Sequence, residues 1–192
     1  MSVYLRPRVP GAAVFFTVNL AARGSWLLVE RVDALREAYR ATARERPFRT
    51  EAIVVMPDHL HAVWTLPEGD ADYSTRWRLI KARFTRAVLA DGAVGAEHPP
   101  YGPERDFRSV SGPAVGAVRR VGGSQPPSLS KRKKGERGIW QRRFWDRHIR
   151  GPKEFAAAVR YCHENPVKHG FVEWAEDWRW SSVHRETHAG RW

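Results

Sequence analysis

Two short apolar runs meeting at Pro57-Asp58 restrict the fold of this chain more than any other part of it. Glu51 to Met56 is apolar and rich in β-branched residues, Pro57-Asp58 is tight-turn chemistry, and His59 to Leu66 alternates. The stretch is therefore expected to form a β-hairpin with strands at 51–56 and 59–66. The period of two puts His59, His61, Val63 and Thr65 on one strand face and Leu60, Ala62, Trp64 and Leu66 on the other. The second set is expected to pack a core, which leaves the histidines on a functional face. Two neutral imidazoles at i and i+2 can hold a divalent metal. An isolated His-x-His is more often a surface or packing pair, so its meaning depends on what accompanies it.

The charge of the chain narrows the partners. Thirty-three Lys and Arg against 21 Asp and Glu give a formal net charge of +12, a bias toward polyanions with nucleic acid foremost. A merely solvated basic surface is the alternative. The 192 residues, 42% of them apolar, suffice for one domain with its own core. Cys162 is the single cysteine, which excludes an intrachain disulfide and a thiolate metal cluster. No apolar run approaches the roughly 18 residues of a membrane span, and the start of the chain lacks the apolar core of a signal peptide. A soluble, cytoplasmic, nucleoid-associated protein is expected.

Along the chain, Val14 to Leu20 is β-branched and aromatic after Pro10-Gly11, which predicts a first strand at 14–20. Val32, Leu35, Ala38 and Tyr39 recur at helical spacing within 30–46, before Pro47. Residues 73–90 repeat the pattern with Trp77, Ile80, Phe84, Val88 and Leu89, and Arg83 belongs to a basic side that would follow a phosphate backbone. Thirteen of the forty residues at 91–130 are Gly or Pro, so an insertion at about 91–136 is expected to lack periodic structure. Lys131 to Lys153 holds ten Lys or Arg, among them Lys131, Arg132, Lys133, Lys134, Arg142, Arg143 and Arg147, interleaved with Trp140, Phe144 and Trp145. Cations beside rings suit single-stranded nucleic acid, although Trp145 or Phe144 is equally acceptable as core. A fourth strand is predicted at 139–149.

Pro152 opens a last helix at 153–165 whose buried stripe is expected to be Phe155, Val159 and Cys162. Tyr161 lies roughly 100° or more around from that stripe. Asn165, four residues on, is expected to share its face, with Pro166 stopping the helix. Taken singly, a tyrosine near a helix end and an Asn before Pro are ordinary.

Together, Val14-Phe15-Phe16-Thr17-Val18, Val55-Met56-Pro57-Asp58-His59-Leu60-His61, Ile139 to Arg147 and Tyr161-Cys162-His163-Glu164-Asn165-Pro166-Val167-Lys168-His169-Gly170 resemble the tyrosine transposases of the IS200-like superfamily. The likeness is to their REP-associated branch, relatives of the HUH endonucleases. It spans most of the chain outside the insertion. The joint signature of His-x-His and Tyr-x-x-x-Asn-Pro-Val-Lys-x-Gly is specific where either half alone is not.

The resemblance implies an α+β, ferredoxin-like or RRM-like antiparallel sheet with the catalytic tyrosine on a C-terminal helix. Residues 1–192 would be one such domain with a C-terminal extension at about 171–192. It further implies that His59, His61 and Asn165 bind Mg²⁺ or Mn²⁺ and that Tyr161 is the nucleophile of a single-stranded DNA endonuclease and strand transferase acting at hairpin, REP-like DNA. A 5′-phosphotyrosine intermediate and a free 3′-OH follow. Imidazole and amide donors with open positions suit such an ion, and an ordinary phenol, with a pKa near ~10, leaves little phenolate at neutral pH without help.

Arg6 and Arg8 would read a short guide sequence beside the hairpin, and Lys168 would add to the DNA contacts. His148 and His163 are read as packing or phosphate-contact groups, Cys162 as a small buried hydrophobe and Asp58 as a turn residue. Trp174, Trp178 and Trp180 are expected to pin the C-terminal extension. A monomer is expected, as in the REP-associated branch. The alternative function is a domesticated, non-cleaving nucleic-acid-binding protein with an RRM-like sheet.

Overall fold

The computed structural model describes residues 9–91 and 138–187. Strands β1 (Ala13–Asn19), β2 (Arg49–Val55), β3 (His59–Thr65) and β4 (Trp145–His148) form one sheet in the order β2-β3-β1-β4, every neighbouring pair antiparallel. Helix α2 (Val32–Glu45) connects β1 to β2, and α3 (Tyr73–Ala90) lies between β3 and β4. This is the βαββαβ arrangement of ferredoxin-like sheets, the fold class the sequence leads one to expect. Helix α2 is the helix expected at 30–46, and a separate one-turn helix α1 (Leu27–Glu30) precedes it, divided from it at Arg31.

The hairpin forms as predicted: the Met56 N–H donates to the carbonyl of His59 across the turn at 2.8 Å. Leu60, Ala62, Trp64 and Leu66 are buried beneath α2 and α3. There Trp64 stacks on Trp77 with ring centroids 4.3 Å apart, and Phe16 and Phe48 close around it. The opposite face is not left open. Helix α4 (Pro152–Lys168) crosses β2 and β3 on that side, so His61 and Val63 are buried as well.

Three expectations near the C-terminal end need correction. The fourth strand is four residues long, because only Trp145 to His148 pair with β1, while Trp140 makes an isolated bridge to Leu20. Pro166 does not stop α4, which runs to Lys168. A proline in the last turn removes only one helical hydrogen bond, and that turn is closed beyond it. The His169 N–H donates to the Asn165 carbonyl and the Phe171 N–H to that of Pro166, while Gly170 takes the left-handed conformation at φ 70°. The buried stripe of α4 also differs, running Ala158, Cys162 and Asn165-Pro166, with Phe155 and Val159 only partly covered.

The segment after α4 passes through a 3₁₀ turn (Ala175–Asp177) and returns to edge strand β2. The backbone of Ser182 donates to the Ile53 carbonyl, its hydroxyl accepts from the Ile53 N–H, and the Trp178 indole donates to the Val55 carbonyl. Trp178 and Trp180 pack edge to face at 4.8 Å, so these two do pin the extension. Trp174 does not; it is 64% exposed. A last helical turn, α5 (His184–Thr187), ends the described residues. No helix among them is long and apolar enough to cross a membrane.

Candidate active site

The β1–β3 register sets Thr17 directly opposite His61 and Asn19 opposite His59. Thr17 Oγ1 therefore lies 2.9 Å from His61 Nδ1, while Asp58 Oδ1 lies 2.6 Å from His59 Nδ1. Each imidazole has its Nδ1 engaged by a neighbour, the arrangement that orients a ring and leaves Nε2 as a ligand. The two rings are 5.0 Å apart between centroids. Phe15 stacks on His61 at 5.5 Å, and His169 lies 5.6 Å from His59.

Asp58 is more than a turn residue. Its second oxygen accepts from the Gly24 N–H at 2.7 Å, and its backbone carbonyl accepts from the Leu20 N–H. The carboxylate thus ties the start of β3 to the loop after β1. Burial alone would raise its pKa, but the hydrogen bonds from His59 and Gly24 outweigh that and hold it below the ordinary carboxylate value. Burial, followed by the charges of His59 and His169, pushes His61 down to about 3. At neutral pH its imidazole is uncharged, the form that binds a metal.

Tyr161 reaches this face from α4. Its ring meets His61 edge-on at 5.2 Å and Phe15 at 5.6 Å, and it remains 41% exposed. The Lys168 ammonium sits over its ring, 5.2 Å from the centroid. Asn165 departs from expectation: it follows Tyr161 by four residues and Cys162 by three, and the second relation wins. It is wholly buried, and neither its Oδ1 nor its Nδ2 has a hydrogen-bond partner. Buried amides are rarely left so. An unpartnered amide and neutral imidazoles are donor types that suit a hard or borderline divalent ion. Among the described residues no three His, Cys, Asp or Glu side chains cluster to hold a metal.

The remaining candidates separate by sheet face. Arg147 pairs with Phe15 on β1 and so shares the histidine face, as does Trp145 opposite Thr17; both are exposed, like Arg142 and Arg143. Arg83 is turned away. It bonds Thr42 Oγ1 at 2.6 Å and the Glu45 carboxylate, joining α3 to α2 on the face opposite the histidines. His148 pairs with Val14 on that same opposite side, and His163 bonds Ser182 Oγ at 3.2 Å; neither approaches His59 or His61. Cys162 is buried, and burial pushes its thiol far up, as befits an inert hydrophobe. Arg6, Arg8, Lys131, Arg132, Lys133 and Lys134, with the insertion beyond Asp91, lie outside the described residues.

Sequence reasoning missed Thr17 and Phe15, whose roles depend on strand register, and undervalued Asp58. The adjacency of Asp58 to His59 was the available signal.

Fold and site together define a DNA-processing class of enzyme, one that brings a tyrosine on a helix to paired histidines on an inner strand of a ferredoxin-like sheet. No family model matches the chain. It is 37% identical over 190 residues to the REP-associated tyrosine transposase of Escherichia coli (strain K12), an alignment covering 99% of this chain and 87% of the relative. A solved REP-associated tyrosine transposase bound to a REP hairpin superposes with a TM-score of 0.71 and 36% identity, covering 100% of this chain and 88% of that one. The chain belongs to the REP-associated tyrosine transposases.

Proposed function

We propose that this transposase is a metal-dependent single-stranded DNA endonuclease and strand transferase that cuts beside hairpin, REP-like DNA through a 5′-phosphotyrosine intermediate. The observation that carries the reading is the edge-on contact of Tyr161 with His61 at 5.2 Å, beside an Asn165 amide buried without partners. The hairpin held by the solved relative supports the substrate.

His59 and His61 through Nε2, and Asn165 through its amide oxygen, would hold Mg²⁺ or Mn²⁺, which would polarise the scissile phosphate and offset charge gathering on its oxygens. Tyr161 attacks phosphorus in line: its phenol oxygen forms the new P–O bond, the bond to the 3′-oxygen breaks, and that oxygen leaves as a 3′-OH. The phenolic proton passes to solvent, which supplies one to the departing 3′-oxygen, and the Lys168 ammonium beside the ring supplies positive charge where the phenolate develops. In the reverse direction a 3′-OH attacks the phosphotyrosine and releases Tyr161, so strands rejoin with no ATP. Arg142, Arg143 and Arg147 carry the phosphates of the approaching strand. The contact of Tyr161 with His61 of its own chain supports a site completed within one chain, and the protein would act as a cytoplasmic monomer folded as one domain over 1–192.

Incubation with a hairpin oligonucleotide carrying single-stranded flanks and Mg²⁺ or Mn²⁺ should yield an adduct that survives SDS. Chelation and Tyr161→Phe should each abolish it. A Tyr161→Phe protein that still forms the adduct would remove the nucleophile assignment.

A further inference from the structure

An open groove of about 560 Å³ adjoins the nucleophile, with Tyr161, Asn165 and Lys168 of α4 on one side and Glu173, Trp174 and Glu176 of the following segment on the other. We infer that this groove holds one unpaired nucleotide flanking the scissile phosphate, its base stacked on Trp174 and read through exocyclic amine donors. The inference rests on the function proposed above and names the substrate contact that sets its local sequence preference.

Three observations support it. Trp174 and Tyr161 are two of the few large apolar side chains left exposed, at 64% and 41%, and both line this groove, whereas Trp178 and Trp180 in the same segment are packed. An exposed indole beside a phosphodiester site is a stacking platform for an unpaired base. The groove also carries charges of both signs. Lys168 lies at the Tyr161 end, where a phosphate would sit, while Glu164, Glu173 and Glu176 also line the groove in a chain of net charge +12.

Three carboxylates repel phosphate but accept hydrogen bonds from the amino groups of cytosine, adenine or guanine. The volume falls in the range of small-molecule clefts, roughly 300–1,000 Å³, which accommodates a nucleotide but no duplex.

The test is equilibrium binding of the full chain to a flanked hairpin oligonucleotide in EDTA, read by fluorescence anisotropy. An abasic site is moved one nucleotide at a time along the flank, with wild type, Trp174→Ala and Trp174→Phe. For wild type, one position should cost about ten-fold to a hundred-fold in affinity when abasic, and thymine there should bind more weakly than the amine-bearing bases. Trp174→Ala should lose the same factor on intact DNA and nothing more at that one position, and Trp174→Phe should recover most of it. The inference is overturned if Trp174→Ala, melting like wild type, binds intact DNA as tightly, or if it loses the same factor on every abasic substrate. Failure to bind any flanked hairpin overturns it as well. Because EDTA removes chemistry from this measurement, a groove that behaves as expected without any SDS-resistant adduct would retire the proposed reaction alone, and an adduct with an indifferent Trp174 would retire the groove alone.

Discussion

Replacing Thr17 by Val keeps the shape and the β-branching that suit strand β1 while deleting the hydroxyl 2.9 Å from His61 Nδ1. His61 is 4% exposed, so water cannot take the place of that hydroxyl, and the ring is left with its hydrogen bond to the Phe16 backbone. A buried polar group that loses a partner costs about 1–3 kcal/mol. For a domain of this size each kcal/mol lowers Tm by roughly 2–4 °C, so the variant should melt about 2–12 °C below wild type. The larger consequence concerns the ligand. With Nε2 on a metal, Nδ1 carries the proton and donates to Thr17 Oγ1, and loss of such a partner weakens metal affinity or activity by about 10–100-fold. Adduct formation on a hairpin oligonucleotide, titrated with Mn²⁺ below the melting range, should therefore reach half-maximum at a metal concentration raised by about that factor. Thr17→Ser, which retains the hydroxyl, should titrate close to wild type. A Thr17→Val protein with a lowered Tm and an unshifted Mn²⁺ curve would show that the hydroxyl holds the strand pair only and that His61 is not oriented as a ligand.

The two sheet faces predict opposite outcomes for two arginines. Arg147→Ala, on the histidine face, should reduce the slope of log K against log salt by roughly 0.7–0.9; Arg83→Ala should leave hairpin affinity and slope unchanged and lower Tm, because Arg83 serves Thr42 and Glu45. The reverse pattern would contradict the placement of α3. Acid stability reads another pair. Arg76, 1% exposed, donates to both oxygens of Asp70 at 3.1 and 2.7 Å, and these bonds hold the Asp70 carboxyl below its ordinary value. A depressed carboxylate stabilises the fold above its unfolded pKa of about 3.9 and ceases to do so as pH falls through the folded value. Asp70→Asn should therefore melt below wild type at pH 7, with the difference narrowing toward pH 3, and a difference constant with pH would refute the assignment.

The hairpin was legible because its determinants are local: Pro57-Asp58 and the alternation of His59 to Leu66 dictate turn, period and face within one segment. That Tyr161 stays outside the core was legible from its angle to Cys162 on α4, but its role as a candidate nucleophile came only from the resemblance carried by the joint His-x-His and Tyr-x-x-x-Asn signature. What local pattern could not supply was the register between β1 and β3, which is decided by packing across the whole sheet. That register puts Thr17 against His61 rather than against Leu60 or Ala62. Nor could it show that α4 would cover the histidine face, since an alternating strand reads alike whether its second face meets water or a helix.

The cover changes the chemistry of the site. An exposed His61 would sit near its ordinary pKa of about 6.5 and carry a proton over part of the working range, whereas beneath α4 it titrates only at about 3 and stays neutral. The same burial withholds water from the Asn165 amide, the proposed third donor. Tyr161, one turn earlier and on the rim, keeps the exposure that a DNA phosphate needs to reach it. The placement of α4 thus divides the site into a dry half, which under the proposed function would hold the ion, and an open half, which would meet the strand.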